Sequence, residues 1–291
     1  MANKISVITG ATSGIGRALV FDFARLGDTV ILVARDKDRG QRVLKEIKAR
    51  IQDSNVDLHL CDLSILSSVR NLAEILKSKY KKINLLINNA STHERKRLVT
   101  VDGFEEMFAA NYLGPFLLTN LLLESLQAAV QADGSAQILN ITTPSTTHLD
   151  FSDLQSERNF NPSSAFGASS TANLLFTLEL ARRLETTGIR VNAVYPGWVR
   201  SGGLKESFLP HRILSWLTSQ SPQKATESVI QVATAPDFES TTGKFFHRDK
   251  EIQMDPYAYD RETQQRLWEM SEQLTGLAAT KGVTPVNDPH L

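Results

Sequence analysis

Sulfur chemistry is almost missing from this chain. Cys61 is the single cysteine among 291 residues, which excludes an intrachain disulfide and a thiolate metal cluster and fits a reducing, cytoplasmic setting. Net charge is missing as well: 32 Lys and Arg residues balance 32 Asp and Glu. Electrostatics therefore give no reason to expect nucleic acid or an anionic membrane as partner. No stretch of about 18 consecutive apolar residues occurs, and the chain enters an apolar strand without a basic leader or a small-residue cleavage site. Neither a membrane span nor secretion is expected. Repeats, low-complexity tracts and Pro/Gly/Ser-rich linkers are absent too. The expected organisation is one domain over residues 1–255, followed by a helical extension and tail at 256–291.

What is present is an alternation. Short apolar runs at Lys4–Thr9, Thr29–Ala34, Asp57–Asp62, Leu85–Asn88, Gln137–Thr142, 189–195 and 243–247 are separated by segments of helical period at 15–26, 38–50, 67–79, 102–130 and 163–186. Runs such as Val30-Ile31-Leu32-Val33 are apolar throughout, the mark of parallel strands covered by helices on both faces. The pattern predicts an α/β fold of the Rossmann type, doubly wound, with about seven parallel strands flanked by helices. The segment around 202–220, with Leu204, Phe208, Leu209, Ile213, Leu214, Trp216 and Leu217, reads either as a lid over an apolar pocket or as a surface helix. A last helix is predicted around 261–274.

The first strand ends in Gly10-Ala11-Thr12-Ser13-Gly14-Ile15-Gly16 and a helix follows. Glycines there let the turn tighten and the backbone N–H groups approach a pyrophosphate, while the helix N-terminus favours its negative charge. The second strand ends at Ala34-Arg35. A guanidinium at this position suits a ribose 2′-phosphate, with Thr12 or Ser13 as neighbouring donors, so NADP(H) is expected in preference to NAD. Asp36 follows directly and keeps NAD open.

Taken together, Thr9–Gly16, Cys61-Asp62-Leu63, Asn88-Asn89-Ala90-Ser91, Asn111–Phe116, Ala172–Phe176, Pro196-Gly197 and Arg266–Glu269 resemble the short-chain dehydrogenase/reductase superfamily, in its retinol-dehydrogenase-like and WW-domain-oxidoreductase-like branch. The resemblance spans nearly the whole chain. It implies that Asp62 and Leu63 contact the adenine, that Asn89, Ala90 and Ser91 line the adenosine and ribose, and that Pro196, Gly197, Val199 and Ser201 hold the nicotinamide carboxamide. It also implies a homodimer or homotetramer through the long helices, whose Leu118, Leu121, Leu122, Leu175 and Leu178 read either as an outer apolar face or as core.

The family's catalytic set is a Ser, a Tyr-x-x-x-Lys pair and an Asn. Aligning Ala165–Ser170 through the Ala172–Phe176 run puts Phe166 at the tyrosine and Ser170 at the lysine. Asn111 is retained, and Thr143 falls at the serine, with Thr142 and Ser145 as alternatives. A phenyl ring cannot protonate an oxygen, and a serine cannot replace an ammonium. His148, Tyr195, His93 and Asp150 are the candidates for a relocated acid, His148 having the most suitable intrinsic pKa. Three functions stay open. One is a reductase delivering hydride to an apolar small molecule whose acceptor, an imine, an iminium or a conjugated double bond, needs little protonation on oxygen. Another is a non-redox cyclase or isomerase, and the last is a catalytically silent nucleotide-binding regulator.

Overall fold

A computed structural model describes residues 4–197 and 221–277. Val199, Ser201 and the segment around 202–220 lie outside the described residues, as does the tail from 278. One eight-stranded sheet runs in the order β3-β2-β1-β4-β5-β6-β7-β8. Its strands are β1 (Ile5–Ile8), β2 (Thr29–Ala34), β3 (Val56–Leu60), β4 (Leu85–Asn88), β5 (Ala136–Ile141), β6 (Ile189–Tyr195), β7 (Lys244–His247) and β8 (Lys250–Glu251). The first seven are parallel, as the apolar runs predict. The two-residue β8 pairs antiparallel with β7 and is the strand the pattern did not show, since two exposed charged residues carry no periodicity.

Helices cover both faces because side chains alternate along each strand. Val7, Ile31, Leu86, Ile138 and Val191 point to one face. There they pack under α3 (Leu66–Lys79), α5 (Gly114–Asp133) and α6 (Pro162–Arg183). Ile8, Leu32, Ile87, Leu139 and Val194 point to the other, under α1 (Gly14–Arg25), α2 (Lys37–Arg50) and α7 (Pro222–Thr234). Full burial of each such side chain contributes about 1.5–3 kcal/mol relative to exposure.

The helix expected over 102–130 begins later and is broken. Val99 and Glu105 form a β-bridge. The short α4 (Glu106–Phe108) is capped by the Glu105 carboxylate, which accepts the Met107 and Phe108 N–H groups, and leads into a π-turn at Ala109–Leu113 before α5. Within Glu106–Asp133 an 18-residue stretch has the mean hydropathy, 1.3, of a membrane span, but 67% of that stretch is buried within the fold.

A final helix, α8 (Arg261–Thr275), docks on α6. Trp268 lies 5.0 Å from Phe116 and 5.9 Å from Phe176 by ring centroids. The Tyr112 hydroxyl bonds Ser271 Oγ at 2.7 Å, and Arg70 donates to the Thr275 carbonyl at 2.6 Å. The described part of the extension thus completes the main core. Leu118, Leu122 and Leu175 are fully buried in that core, and Leu121 and Leu178 are half-buried. Of the two readings of these leucines, an oligomerising face or core, the core one describes Leu118, Leu122 and Leu175.

Candidate functional site

The strand order reverses between β1 and β4, where the crossovers leave to opposite sides and open a crevice at the strands' carboxyl ends. Thr9 ties its floor together. Its Oγ1 accepts N–H bonds from Asn89 (2.9 Å) and Ala90 (3.1 Å), and the Asn89 amide returns a bond to the Thr9 carbonyl at 2.9 Å. Gly10, at φ +63°, presses so close that a Cβ would sit 2.6 Å from Ala90 Cα, and a Cβ on Gly16 would lie 2.3 Å from the Gly10 carbonyl. Only glycine fits either place. Ser13 precedes α1 without a side-chain capping bond, so its hydroxyl does not occupy the helix's first-turn N–H groups.

Above this floor lies a cleft of about 1060 Å³. Gly10, Thr12, Ser13, Gly14, Ile15, Gly16, Arg35, Asp62, Leu63, Asn89, Ala90, Ser91 and Gly197 all line it, and Pro196 lines a smaller chamber beside it. Thus every described member of the expected cofactor set falls on one continuous surface. At one end, Arg35 is exposed and sits 3.7 Å from Glu106. Burial holds the Glu106 carboxyl above its ordinary range, with Asp62 adding to the effect. Asp36 is occupied locally: its Oδ1 accepts the Arg39 N–H at 2.8 Å, capping α2, and that bond lowers its pKa. The Asp62 carboxylate likewise accepts from Ser64 N (3.0 Å) and Ser64 Oγ (2.7 Å). Cys61 lines the cleft with its thiol pushed up to about 11 by burial, a poor nucleophile at neutral pH.

At the other end, Thr143 and Phe166 line both the cleft and the chamber, which has a volume of about 160 Å³. Thr143 Oγ1 donates to Ser170 Oγ at 3.1 Å, and Ser170 donates to the Phe166 carbonyl at 3.0 Å. The direction is fixed: a carbonyl only accepts, so Ser170 spends its hydrogen there and must accept from Thr143. Thr142 is buried with its hydroxyl toward the Ser170 carbonyl (3.5 Å), and Ser145 bonds the Gly167 carbonyl (2.9 Å), which leaves Thr143 as the hydroxyl facing the reactive end. Asn111, in the π-turn, clamps the Thr92 backbone with both ends of its amide (2.7 and 3.0 Å) and donates to Ser169 Oγ at 3.2 Å.

No lysine lines either space among the described residues, and the one tyrosine there is Tyr195. Its ring stacks on His247 at 4.9 Å. Burial raises the pKa of its phenol, which takes no hydrogen bond among the described residues. The other candidate acids line neither space. His148 is absent from the lining of both spaces; its ring stacks on Tyr257 at 4.1 Å and 10°, with Asp255 3.6 Å away. Asp150 is tied to Ser152 (2.7 Å) and Arg158 (3.0 Å) on an exposed loop. His93 reaches Phe166 by ring contact, 5.3 Å between centroids, but is exposed and outside both linings.

Arg39 and Asn173 are among the lining residues that escaped the sequence reading. Arg39 joins Arg35 at the cleft's edge, and its position one helical turn after a strand-end arginine was the available signal. Asn173 lines the chamber and donates to the Asn111 carbonyl at 2.7 Å, a contact across the fold with no local signature.

A family model described as short chain dehydrogenase matches residues 4–210. The chain is 38% identical over 281 residues to mouse Retinol dehydrogenase 12, covering 94% of this chain and 87% of that protein. The chain belongs to the short-chain dehydrogenase family. Human Polyprenol dehydrogenase is 34% identical over 285 residues, covering 94% of this chain and 86% of that one. A crystal structure of an uncharacterized protein from Mycobacterium paratuberculosis superposes with a TM-score of 0.72 at 30% identity, covering 94% of each chain. Membership makes this chain a Rossmann-type member of an oxidoreductase family, within its retinol-dehydrogenase-like branch.

Proposed function

We propose that this short-chain dehydrogenase is an NADPH-dependent reductase whose acceptor is an imine, an iminium or a conjugated double bond on an apolar small molecule, in preference to an ordinary ketone. The observation that carries this reading is the reactive end of an otherwise complete cleft. Thr143, Ser170 and the Phe166 carbonyl form a closed hydroxyl chain in which Thr143 faces the cleft with lone pairs and has its hydrogen committed. That hydroxyl chain has no proton to give an alkoxide.

The fold supports a dinucleotide. The Gly10 and Gly16 approaches leave room for backbone N–H groups to meet a pyrophosphate, and α1 directs its positive end into the cleft. Arg35 and Arg39 at the far edge suit a 2′-phosphate, whereas the Asp36 carboxylate that would favour NAD is used as a helix cap. When bound, NADPH supplies a hydride. Addition of that hydride to the carbon of an iminium leaves a neutral amine and needs no proton, so the chain's task reduces to holding the acceptor and excluding water. Phe166 contributes an apolar ring to that end of the cleft, and Tyr195 is the phenol in reach where a proton is required.

The test is NADPH oxidation followed at saturating cofactor against cyclic imines, N-alkyl iminium salts, enones and matching ketones. Turnover of a C=N or enone substrate with ketones slower by about 10²-fold or more is expected, the low end of what a general acid contributes. Background rates across all panels would overturn the reading. Mass-neutral conversion of a substrate without nicotinamide would instead establish the cyclase or isomerase alternative.

A further inference from the structure

Charge is unevenly placed on this neutral chain. Helix α2 carries six cations, Lys37, Arg39, Arg42, Lys45, Lys48 and Arg50, against two carboxylates, Asp38 and Glu46. All six cations are exposed. In every other described α-helix the imbalance is two charges or fewer. Glu46 is already paired with Arg17, and the Arg50 guanidinium lies 5.8 Å from the centroid of the Phe21 ring. Arg42, Lys45 and Lys48 have no ion-pair partner among the described residues.

The helix starts at the cofactor end of the cleft. Asp36 caps it, and Arg39 in its first turn lines the cleft beside Arg35. At that rim the signs cancel. Arg35 and Arg39 meet three carboxylates: Asp36, whose Oδ1 accepts the Arg39 N–H at 2.8 Å, Asp62 in the lining, and Glu106, 3.7 Å from Arg35. A ligand bringing a pyrophosphate and a 2′-phosphate from solvent therefore meets no surplus of positive charge there. The surplus begins one turn further on. At the helical rise, Arg42, Lys45 and Lys48 lie about 4.5, 9 and 13.5 Å along the axis from Arg39. The field of this row reaches the rim: the Arg39 N–H bond chiefly, and the charges of Arg39 and Arg42 as well, hold the Asp36 carboxyl below its ordinary range.

We infer that Arg42, Lys45 and Lys48 form an electrostatic guide along α2 that speeds NADPH into the cleft. None of the three lines the cleft, so the guide acts on the approaching anion and not on the bound one. The inference rests on the NADPH reading above and adds the route by which the cofactor arrives. Charges beside a site act mainly on the association rate and on its salt dependence. Their reach is the screening length, about 8 Å at 0.15 M salt and about 30 Å at 0.01 M. Arg42 is thus felt at the rim at either salt concentration, and Lys48 chiefly at the lower one.

Stopped-flow association of NADPH with the full-length protein, followed by nicotinamide fluorescence at about 0.01 M and about 1 M salt, tests the guide. The triple variant Arg42→Gln, Lys45→Gln, Lys48→Gln removes its charges and keeps helix propensity. Its association rate constant should fall by about threefold to tenfold at low salt, with the dissociation rate within about twofold of the parent's and the two proteins converging at high salt. Single substitutions should rank Arg42, Lys45, Lys48 in decreasing effect, and NADH, without the 2′-phosphate, should lose less than NADPH. Asp38→Asn, which deletes a carboxylate from the same helix, should speed association, and it keeps the inference testable if the triple variant does not fold. Unchanged association at low salt, a loss confined to the dissociation rate, or a difference that survives high salt would each overturn the inference. A parent protein that binds no NADPH at either salt removes the reductase reading together with the guide. Normal NADPH binding with unchanged association rates removes the guide alone.

Discussion

At position 170 a hydroxyl stands 3.1 Å from Thr143, and the nearest aromatic edge, Phe166, has no proton to give. Rebuilding the pair as Phe166→Tyr with Ser170→Lys should therefore create ketone reduction where the parent has little, by about 10²-fold or more, measured as NADPH-dependent turnover of simple ketones. Arg35 makes a separate prediction. Its guanidinium is exposed and only 3.7 Å from a single carboxylate, so it is available to a phosphate. Arg35→Ala should weaken NADPH binding by about tenfold to a hundredfold, the worth of charged hydrogen bonds, and change NADH binding little, as titration of cofactor fluorescence would show. Arg35 was legible in the sequence because it ends a strand that the apolar pattern already delimits. The place of His148 was not legible, because the ring that engages it, Tyr257, comes from the distant C-terminal segment, and no local rule announces that stack.

Among the elements, the strand-turn-helix unit at β1 and α1 was the most legible, since its glycines are demanded by backbone approaches of 2.6 and 2.3 Å. Gly16→Ala should cost about 1–3 kcal/mol of stability through overpacking and also depress dinucleotide affinity, seen as a lowered Tm that NADPH no longer raises. The π-turn at Ala109–Leu113 was not legible, because its residues keep a helical apolar pattern while one extra residue bulges out. That bulge lies where Asn111 reaches the Thr92 backbone, so the element boundary and the site share one cause. The short β8 likewise depends on its partner β7 and has no pattern of its own.

At the scale of the molecule, the sequence division at residue 255 separates segments that share a core. Trp268 packs against Phe116 and Phe176, and the Arg183 guanidinium lies 4.1 Å over its ring. Trp268→Ala should destabilise the whole fold by about 3–5 kcal/mol in a single cooperative transition, measured by denaturant unfolding, rather than loosen a separate tail. The central claim of the proposal is that the completed fold holds NADPH opposite a site in which the family's Tyr-x-x-x-Lys acid is replaced by Phe166 and Ser170. The most direct measurement is deuterium transfer from 4-deuterated NADPH, read by mass spectrometry, to a cyclic iminium and to the ketone of the same shape in one reaction. Deuterium in the amine, with the ketone labelled at least about 10²-fold more slowly, is the predicted result. Equal labelling of both, or of the ketone alone, would contradict it.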